Sequence, residues 1–421
     1  MSAGAQWWKV LAVWLARIVC GLIFIVSGWS KTVDPHGFVF KIEEYLNVWG
    51  ISDIIPLDIV LIGAVGLSLF ELITGVLLLT GSLRRSAAIC GLAMMAFMLP
   101  LTAYIVVADP VADCGCFGDL LVISNMATFL KNIFITALLV IALIWRKAAM
   151  PLYRPGLQWL IIVMTGIYGI TVATIGWQFQ PVVDFRPYSV GECLVAEEDD
   201  EATEPTYIYS KGGVEKEFPM SALPDSTWNF VRQGEKAGDE SLSGLAVFDM
   251  EGNDVAYELF DPESCDSAML VLAVTEPGIG NLTRSRMANE VYDYATSHGI
   301  GMVGVIALSG YALQQWIELA IPRYDVYSAS DTALKELVRG SVGLVYLKNG
   351  HVIWKRNFAT IDPDFLAKDA PFDSMHVVDD GQVAWWLSGF YVLGMLILLG
   401  ISDLTKINIK PRRKKAPVQL L

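Results

Sequence analysis

Two cysteines one residue apart are the clearest chemical feature of this sequence. Cys114 and Cys116 lie in the stretch Asp113-Cys114-Gly115-Cys116-Phe117-Gly118-Asp119, which contains no Lys or Arg. Thiols at this spacing can close a small, strained disulfide ring, and strained, exposed disulfides are the more oxidising and labile ones. The whole chain has six cysteines in 421 residues, which is too few for a disulfide scaffold. The pair therefore predicts thiol–disulfide exchange.

Two other interpretations of the pair stay open at the level of the sequence. One is a structural role, in which the pair stabilises the turn or forms a permanent disulfide and undergoes no redox cycling. The other is capture of Cu(I) or another soft metal by Cys114, Cys116 and Cys193, because thiolates are soft ligands. The four histidines are widely spaced, which argues against a His-based metal site, and we predict no resident metal.

Charged residues near the pair would tune its reactivity, since the thiolate is the nucleophile. Lys31 and Lys131 are the candidate cations that would stabilise a thiolate. Asp113 and Asp119 would oppose them by raising the thiol pKa.

Long apolar blocks predict an α-helical membrane protein. The chain is 54% hydrophobic, and a spanning helix needs about 20 mainly apolar residues. Six stretches qualify: Val10–Ser30, Leu57–Thr80, Ser86–Val107, Ser124–Trp145, Leu157–Trp177 and Val383–Ile401.

The distribution of basic residues predicts how the spans are oriented, because cytoplasmic loops carry an excess of Lys and Arg. Basic residues follow the second and fourth spans (Arg84, Arg85; Arg146, Lys147, Arg154) and fill the tail, 402–421. Both termini are then cytoplasmic. The cysteine loop and the block 178–382 lie outside, since long domains translocate largely regardless of charge. The net charge of −14 argues against a nucleic-acid partner.

Three ionisable residues within predicted spans stand out: Arg17 in the first, Glu71 in the second, and Lys131 in the fourth, which could also snorkel toward the outer face. A charge inside a bilayer is costly unless it is paired or faces the bundle interior. Arg17 lies about two turns into the first span from the cytoplasmic side, and Glu71 lies at a similar depth in the second, antiparallel span. We therefore expect the two residues to pair with each other or both to face the bundle interior. A proton-transfer or quinone-linked role for Glu71 is the functional alternative.

The block between the fifth and sixth spans predicts an α/β domain after an initial β-hairpin. Strand–helix–strand–helix–hairpin is the order of a thioredoxin fold. The predicted elements are hairpins at 206–218 and 245–260, strands at 268–275 and 301–308, helices at 283–297, 311–320 and 331–338, and a final hairpin at 343–355 around Asn349-Gly350.

This domain lacks the residues of a catalytic thioredoxin. The segment after its first central strand, Glu276-Pro277-Gly278-Ile279-Gly280-Asn281, has no thiol, and Ser341-Val342-Gly343 before the final hairpin has no proline. We therefore predict a redox-silent docking module. Its two cysteines, Cys193 and Cys265, could pair with each other, meet the Cys114–Cys116 site, or stay single.

The N-terminal block resembles the DoxX-like and MauE-like membrane families, over roughly residues 10–147. The residues that carry the resemblance are Ala16-Arg17-Ile18-Val19-Cys20-Gly21-Leu22-Ile23-Phe24, Ser27-Gly28-Trp29-Ser30-Lys31, Glu71, Gly75, Leu79-Thr80-Gly81, the Asp113–Asp119 string and Lys131-Asn132. The Asp113–Asp119 string resembles the MauE type in particular. The whole layout, with Asp184-Phe185-Arg186-Pro187-Tyr188 after the fifth span, resembles fused DoxX-type proteins of Bacteroidetes.

The resemblance implies a four-helix bundle in a bacterial inner membrane. MauE proteins are associated with methylamine utilisation and maturation of a disulfide-rich dehydrogenase, and DoxX relatives with sulfur redox systems linked to quinones. The expected domains are 10–147 (bundle), 157–177 (fifth span), 178–239 (β-rich linker), 240–370 (degenerate thioredoxin-like), 383–401 (last span) and 402–421 (basic tail).

Two functions from different classes follow. The first is a thiol–disulfide oxidoreductase that matures envelope proteins through Cys114 and Cys116, with a quinone as a candidate cofactor. The second is a non-enzymatic membrane anchor or assembly subunit whose silent thioredoxin-like domain binds an envelope protein.

Overall fold

A computed structural model of the chain describes residues 7–111, 113–195, 206–211, 214–219, 229–233, 245–260, 268–361, 372 and 380–407. The chain divides into two compact units. The first comprises Met1–Phe185 and His376–Leu421, and the second comprises Arg186–Met375.

The first unit is helical. Its helices are α1 (Trp7–Val33), α2 (Pro35–Val48), α3 (Leu57–Thr80), α4 (Arg84–Ala108), α5 (Asn125–Ile144), α6 (Gln158–Gln178) and, after the second unit, α11 (Asp380–Ile407). Within the described part of the chain, six helices are long and apolar enough to cross a membrane. They correspond to the six predicted spans, which confirms an α-helical, multi-pass membrane protein.

Helix α2 was not predicted from its apolar content, because it is short and amphipathic. Its start nevertheless has a local signal. Asp34 is the N-cap and its carboxylate accepts a hydrogen bond of 2.9 Å from the Gly37 backbone N–H, while Pro35 occupies the first helical position. Both are residue types that helix starts favour. The helix packs against α3 and α6.

Helices α1 and α3 form the closest helix pair of the first unit, with small residues at the crossing. A Cβ atom on Gly28 would lie 2.5 Å from the backbone N of Leu72, and one on Gly75 would lie 2.7 Å from the backbone N of Ile25. Such contact distances are available only to glycine. Gly63 and Gly66 of α3 do not lie at this crossing, since a Cβ on either would meet no atom within 4 Å.

The second unit contains a three-stranded and a five-stranded sheet. The first has the antiparallel order β2-β1-β3, and the second has the mixed order β6-β5-β4-β7-β8. In the second sheet β4 is parallel to β5 and β5 to β6, whereas β7 runs antiparallel to β4 and to β8. Strands and helices are β1 (Thr206–Lys211), β2 (Val214–Pro219), β3 (Asn229–Gln233), α7 (Ala256–Phe260), β4 (Ala268–Val274), α8 (Ile279–Ser297), β5 (Gly301–Ile306), α9 (Gly310–Ala320), β6 (Asp325–Ser328), α10 (Asp331–Leu337), β7 (Val342–Lys348) and β8 (His351–Asn357).

Local signals account for most of this unit. The final hairpin turns at Asn349 and Gly350, whose φ angles of 52° and 73° are those a tight two-residue turn requires. Ser330 caps α10 by accepting a hydrogen bond from the Ala333 backbone N–H. The residues of β4 face helices on both sides of the sheet, and five of its seven residues are buried, as expected for a central strand.

The predicted hairpin at 245–260 is wrong in its second half. Ala256–Phe260 is helix α7, because the Asp254 carboxylate accepts a hydrogen bond of 3.0 Å from the Ala256 backbone N–H and so caps a helix start. Ala256 and Phe260, four residues apart, are both buried on one helix face. Strands β3 and β6 were not predicted either.

Candidate functional site

The Cys114–Cys116 pair lies in the loop between α4 and α5. The two Sγ atoms are 3.0 Å apart and within hydrogen-bond distance. Cys114 is buried, with 7% of its surface exposed, and Cys116 is partly buried. Gly115 makes this approach feasible, since its φ of +65° is strained for any other residue.

Helices α1 and α2 hold the loop in place. The Ser27 hydroxyl in α1 donates a hydrogen bond to the Cys116 carbonyl. In α2 the Tyr45 hydroxyl donates to the Cys114 carbonyl at 3.2 Å, and Lys41 Nζ lies 3.2 Å from Asp113 Oδ2. The Lys41 stem also fills the space beside Gly115, where a Cβ would lie 2.5 Å from Lys41 Cγ.

Lys41 and Tyr45 were missed from the sequence because α2 was missed. A lysine and a tyrosine four residues apart lie on one face of a helix. The Asp34-Pro35 helix start was the signal that could have predicted this helix and so placed the two residues together.

The structure brings both candidate lysines to the site, at different places. Lys31 Nζ lies 2.7 Å from Glu71 Oε2 and donates to Ser27 Oγ at 3.1 Å. Lys131 Nζ lies 4.3 Å from the ring centre of Phe117, a cation–π contact. Lys131 is thus held against the residue that follows Cys116, whereas Lys31 reaches the loop through Ser27.

The expected pairing of Arg17 with Glu71 is wrong, although both residues are buried and face the interior. Glu71 pairs with Lys31 instead. Arg17 donates to the Leu78 and Leu79 carbonyls at 3.1 and 3.3 Å and so caps the last turn of α3.

The reason is the offset between α1 and α3 along their common axis. Gly28 lies level with Leu72, so the last turn of α3 lies level with Arg17 and its middle lies level with the end of α1. Arg17 and Glu71 therefore lie at different depths in the bundle, although they lie at similar distances from the ends of their helices.

The two thiols have pKa values displaced in opposite directions. The hydrogen bond from Cys114 lowers the pKa of Cys116 to about 7, and the charges of Lys131 and Lys31 act in the same direction, against desolvation and Glu71. The same hydrogen bond, followed by burial, raises the pKa of Cys114. Cys116 is therefore the sulfur that carries the thiolate, and Cys114 the one that keeps its proton.

A cavity of about 530 Å³ adjoins the pair on its inner side. Most of its lining is apolar or aromatic side chains of α1 to α5. The polar and thiol groups that line it are Ser27, Lys31, Lys41, Glu71, Cys114, Cys116, Lys131 and Asn132. Ligand pockets commonly have this volume and this mixture of apolar walls with a few polar groups.

The other described cysteines belong to other elements of the chain. Cys20 is buried in α1, where its thiol lies 3.8 Å from the Ile135 carbonyl. Cys193, in the second unit, has its Sγ 3.3 Å from Nδ1 of His351. Cys265 lies outside the described residues. Within the residues that the structure describes, no cluster of three or more His, Cys, Asp or Glu side chains could hold a metal ion.

These features define a multi-pass helical membrane protein with a close thiol pair in a loop between two spans. Residues 9–146, which contain that loop, match the family described as Methylamine utilisation protein MauE. The match supports a MauE-like membrane family for this region. Residues 203–237 match a domain of unknown function, DUF8463. The chain matches no curated protein and no solved structure.

Proposed function

We propose that Cys114 and Cys116 are a redox pair that exchanges disulfides with an envelope protein. The observation that carries the proposal is the distance of 3.0 Å between their Sγ atoms across one glycine. A disulfide bond is about 2.05 Å long, so little movement separates the dithiol from the bonded form. Both sulfurs also adjoin the cavity.

The exchange is balanced without any other reactant. In the oxidised form, a partner thiolate attacks Cys114 Sγ, the Cys114–Cys116 bond breaks, and Cys116 leaves as a thiolate. The sulfur of lower pKa is the better leaving group. A second partner thiol then attacks the partner sulfur of the mixed disulfide and displaces Cys114. The partner dithiol loses two electrons and two protons, and Cys114 and Cys116 gain them.

Trapping the mixed disulfide tests this reaction. In the reverse direction, the single thiol left in Cys114→Ser or Cys116→Ser can still attack the disulfide of an oxidised partner, but the second cysteine that would then release the partner is missing. We therefore expect either variant to accumulate a cross-linked partner after acid quenching and alkylation. Cys90→Ser is the matched control, since Cys90 lies within α4 and away from the pair. Thiols that stay reduced in growing cells, with no cross-linked species in either variant, would end the proposal.

The second unit supports a second part of the proposal, a thioredoxin-like docking module. The parallel strands β4 and β5 are followed by β7, which pairs antiparallel with β4, and by β8, which forms a hairpin with β7. This is the order expected of a thioredoxin fold, with β6 added at the edge of the sheet. The segment between β4 and α8 has no cysteine. We propose that residues 240–370 bind the envelope partner and leave the redox chemistry to the membrane unit, with 178–239 as the β-rich linker.

A non-enzymatic anchor or assembly subunit remains the competing function, favoured by the same lack of a thiol after β4. The double variant Cys114→Ser/Cys116→Ser separates the two. Loss of disulfides in the partner supports the oxidoreductase, whereas normal partner maturation supports the anchor.

The proposal requires the cysteine loop and the second unit to face the same compartment. We propose a bacterial inner membrane with both termini in the cytoplasm, on the distribution of Lys and Arg. Val122 and Tyr311 are 69% and 74% exposed, so Val122→Cys and Tyr311→Cys should both react with a membrane-impermeant maleimide in intact spheroplasts. Labelling at only one of the two positions would contradict this topology.

A further inference from the structure

The cavity beside the cysteine pair has two chemically different parts. Its polar part lies close to the loop between α4 and α5 and consists of Cys114, Cys116, Ser27, Lys31, Lys41, Glu71, Lys131 and Asn132. The remainder is lined by apolar side chains, among them Phe24, Phe38, Phe70 and Met95. A complementary ligand has a compact head that accepts hydrogen bonds and a larger apolar body.

The cavity reaches the surface of α3 that faces lipid. Gly63 lines the cavity and is exposed. Its neighbours Ile59 and Ile62 are 59% and 71% exposed, and apolar side chains exposed along a spanning helix lie against hydrocarbon. Gly63 has no side chain to cover the cavity, and a Cβ there would meet no atom within 4 Å. A ligand dissolved in the bilayer can enter there.

The charges in the polar part are not equivalent. Lys31 is neutralised by Glu71 at 2.7 Å. Lys41 pairs with Glu44 at 2.7 Å and with Asp113 at 3.2 Å. Lys131 contacts the face of Phe117, and this contact leaves its ammonium group able to donate hydrogen bonds into the cavity. A carbonyl oxygen is an acceptor for such a donor. Lys31 and Glu71, which can exchange protons with a ligand, line the same polar part of the cavity.

We infer that this cavity binds the ring of a membrane quinone, which takes the electrons of the reduced Cys114–Cys116 pair. This inference rests on the proposed function, because it names the acceptor that returns the pair to its oxidised form. Two S–H bonds break and one S–S bond forms. The two electrons and two protons go to the two ring carbonyl oxygens, and the product is the quinol. A water-soluble acceptor would not account for the opening toward lipid.

Binding can be measured without the redox step. The Cys114→Ser/Cys116→Ser variant keeps the cavity but cannot donate electrons. We expect decylubiquinone to quench the tryptophan fluorescence of this variant, since Trp49 lines the cavity. Gly63→Phe, made in the same background, places a phenyl ring in the cavity and should weaken binding by about tenfold or more, equivalent to about 1.4 kcal/mol.

Gly66→Phe is the matched control. Gly66 lies on the same helix, is equally exposed, and has no atom within 4 Å of an added Cβ, but it does not line the cavity. Binding should therefore stay within about twofold of the parent. Equal quenching in the Gly63→Phe and Gly66→Phe proteins, or none in the parent, would overturn the inference.

A measurement on the unmodified thiols covers the case in which Gly63→Phe fails to fold. In the reduced wild-type protein, decylubiquinol should slow the alkylation of Cys116 by N-ethylmaleimide and leave Cys90 unaffected. Equal alkylation of Cys116 with and without the quinol contradicts the inference.

Electron transfer is the last readout. The reduced wild-type protein should convert decylubiquinone to the quinol with loss of both thiols. Quinone that binds and is not reduced overturns the assignment of the acceptor, while a trapped partner disulfide would still support the proposed exchange reaction. Quinone reduction without any trapped partner has the opposite meaning: the acceptor is right and the protein partner is wrong.

Discussion

The buried ion pair between Lys31 and Glu71 yields the sharpest energetic prediction. The two side chains are 6% and 8% exposed and their charged atoms are 2.7 Å apart. Removing one partner of a buried pair leaves an uncompensated charge, which costs about 3–5 kcal/mol, whereas replacing both with apolar groups of similar volume is often neutral. Lys31→Met and Glu71→Met should each destabilise the protein by about 3–5 kcal/mol, and the double variant should cost less than either.

The assay is a double-mutant cycle on the purified protein in mixed micelles, with unfolding by dodecyl sulfate followed by tryptophan fluorescence. Glu44→Met is the control, since Glu44 pairs with Lys41 at 2.7 Å but is 41% exposed. A surface pair of this kind is worth about 0–1 kcal/mol. If the Lys31→Met and Glu71→Met costs simply add in the double variant, the pair does not interact and the reasoning is refuted.

Three further predictions concern the pair, the helix crossing and the second unit. The alkylation rate of Cys116, read by peptide mass spectrometry, should rise with pH and be half-maximal near a pH of about 7. Lys131→Met should move that midpoint upward because a lost cation disfavours the thiolate, and an unchanged midpoint would exclude Lys131 as a stabilising charge. Gly28→Ala should reduce the yield of folded protein, since its Cβ would lie 2.5 Å from a backbone nitrogen of α3, while Gly66→Ala should be tolerated; equal yields on size-exclusion chromatography would contradict the close crossing. Ser330→Ala should lower the free energy of unfolding of the second unit by about 1 kcal/mol through loss of an N-cap, measured by urea titration of the full-length protein, and restored stability in Ser330→Asp is the supporting control.

Local patterns in the sequence were sufficient for most of the secondary structure. The six apolar stretches correspond to six long helices because a helix that spans hydrocarbon needs only length and low polarity. Asn349-Gly350 was sufficient to predict a hairpin, since few dipeptides adopt two successive positive φ angles. Helix α7 was missed because one capping carboxylate, Asp254, outweighed a strand-like run of five residues.

The candidate site was only partly predictable. The spacing of Cys114 and Cys116 drew attention to the thiols, and the structure places Lys131 against Phe117 and Lys31 beside Ser27. The roles of all four stay predictions. Three side chains outside the loop hold it in place, those of Lys41, Tyr45 and Ser27. Each is separated by between 69 and 89 residues in sequence from the loop residue that it contacts, and no local pattern relates residues so far apart.

The sequence by itself determined the six stretches that are long and apolar enough to span a membrane, the thiol pair in a loop between two of them, and the α/β segment between the fifth and sixth. These follow from composition, periodicity and spacing over a few residues. Only the tertiary structure decided that Glu71 pairs with Lys31 rather than with Arg17, and that the cysteine loop adjoins an apolar cavity. The ion pair depends on how far α1 and α3 are offset along their common axis, and the position of the loop depends on its contacts with α1 and α2. That offset is set by the close approach of Gly28 to Leu72 and of Gly75 to Ile25, and such packing between distant segments leaves no mark on the sequence of either helix alone.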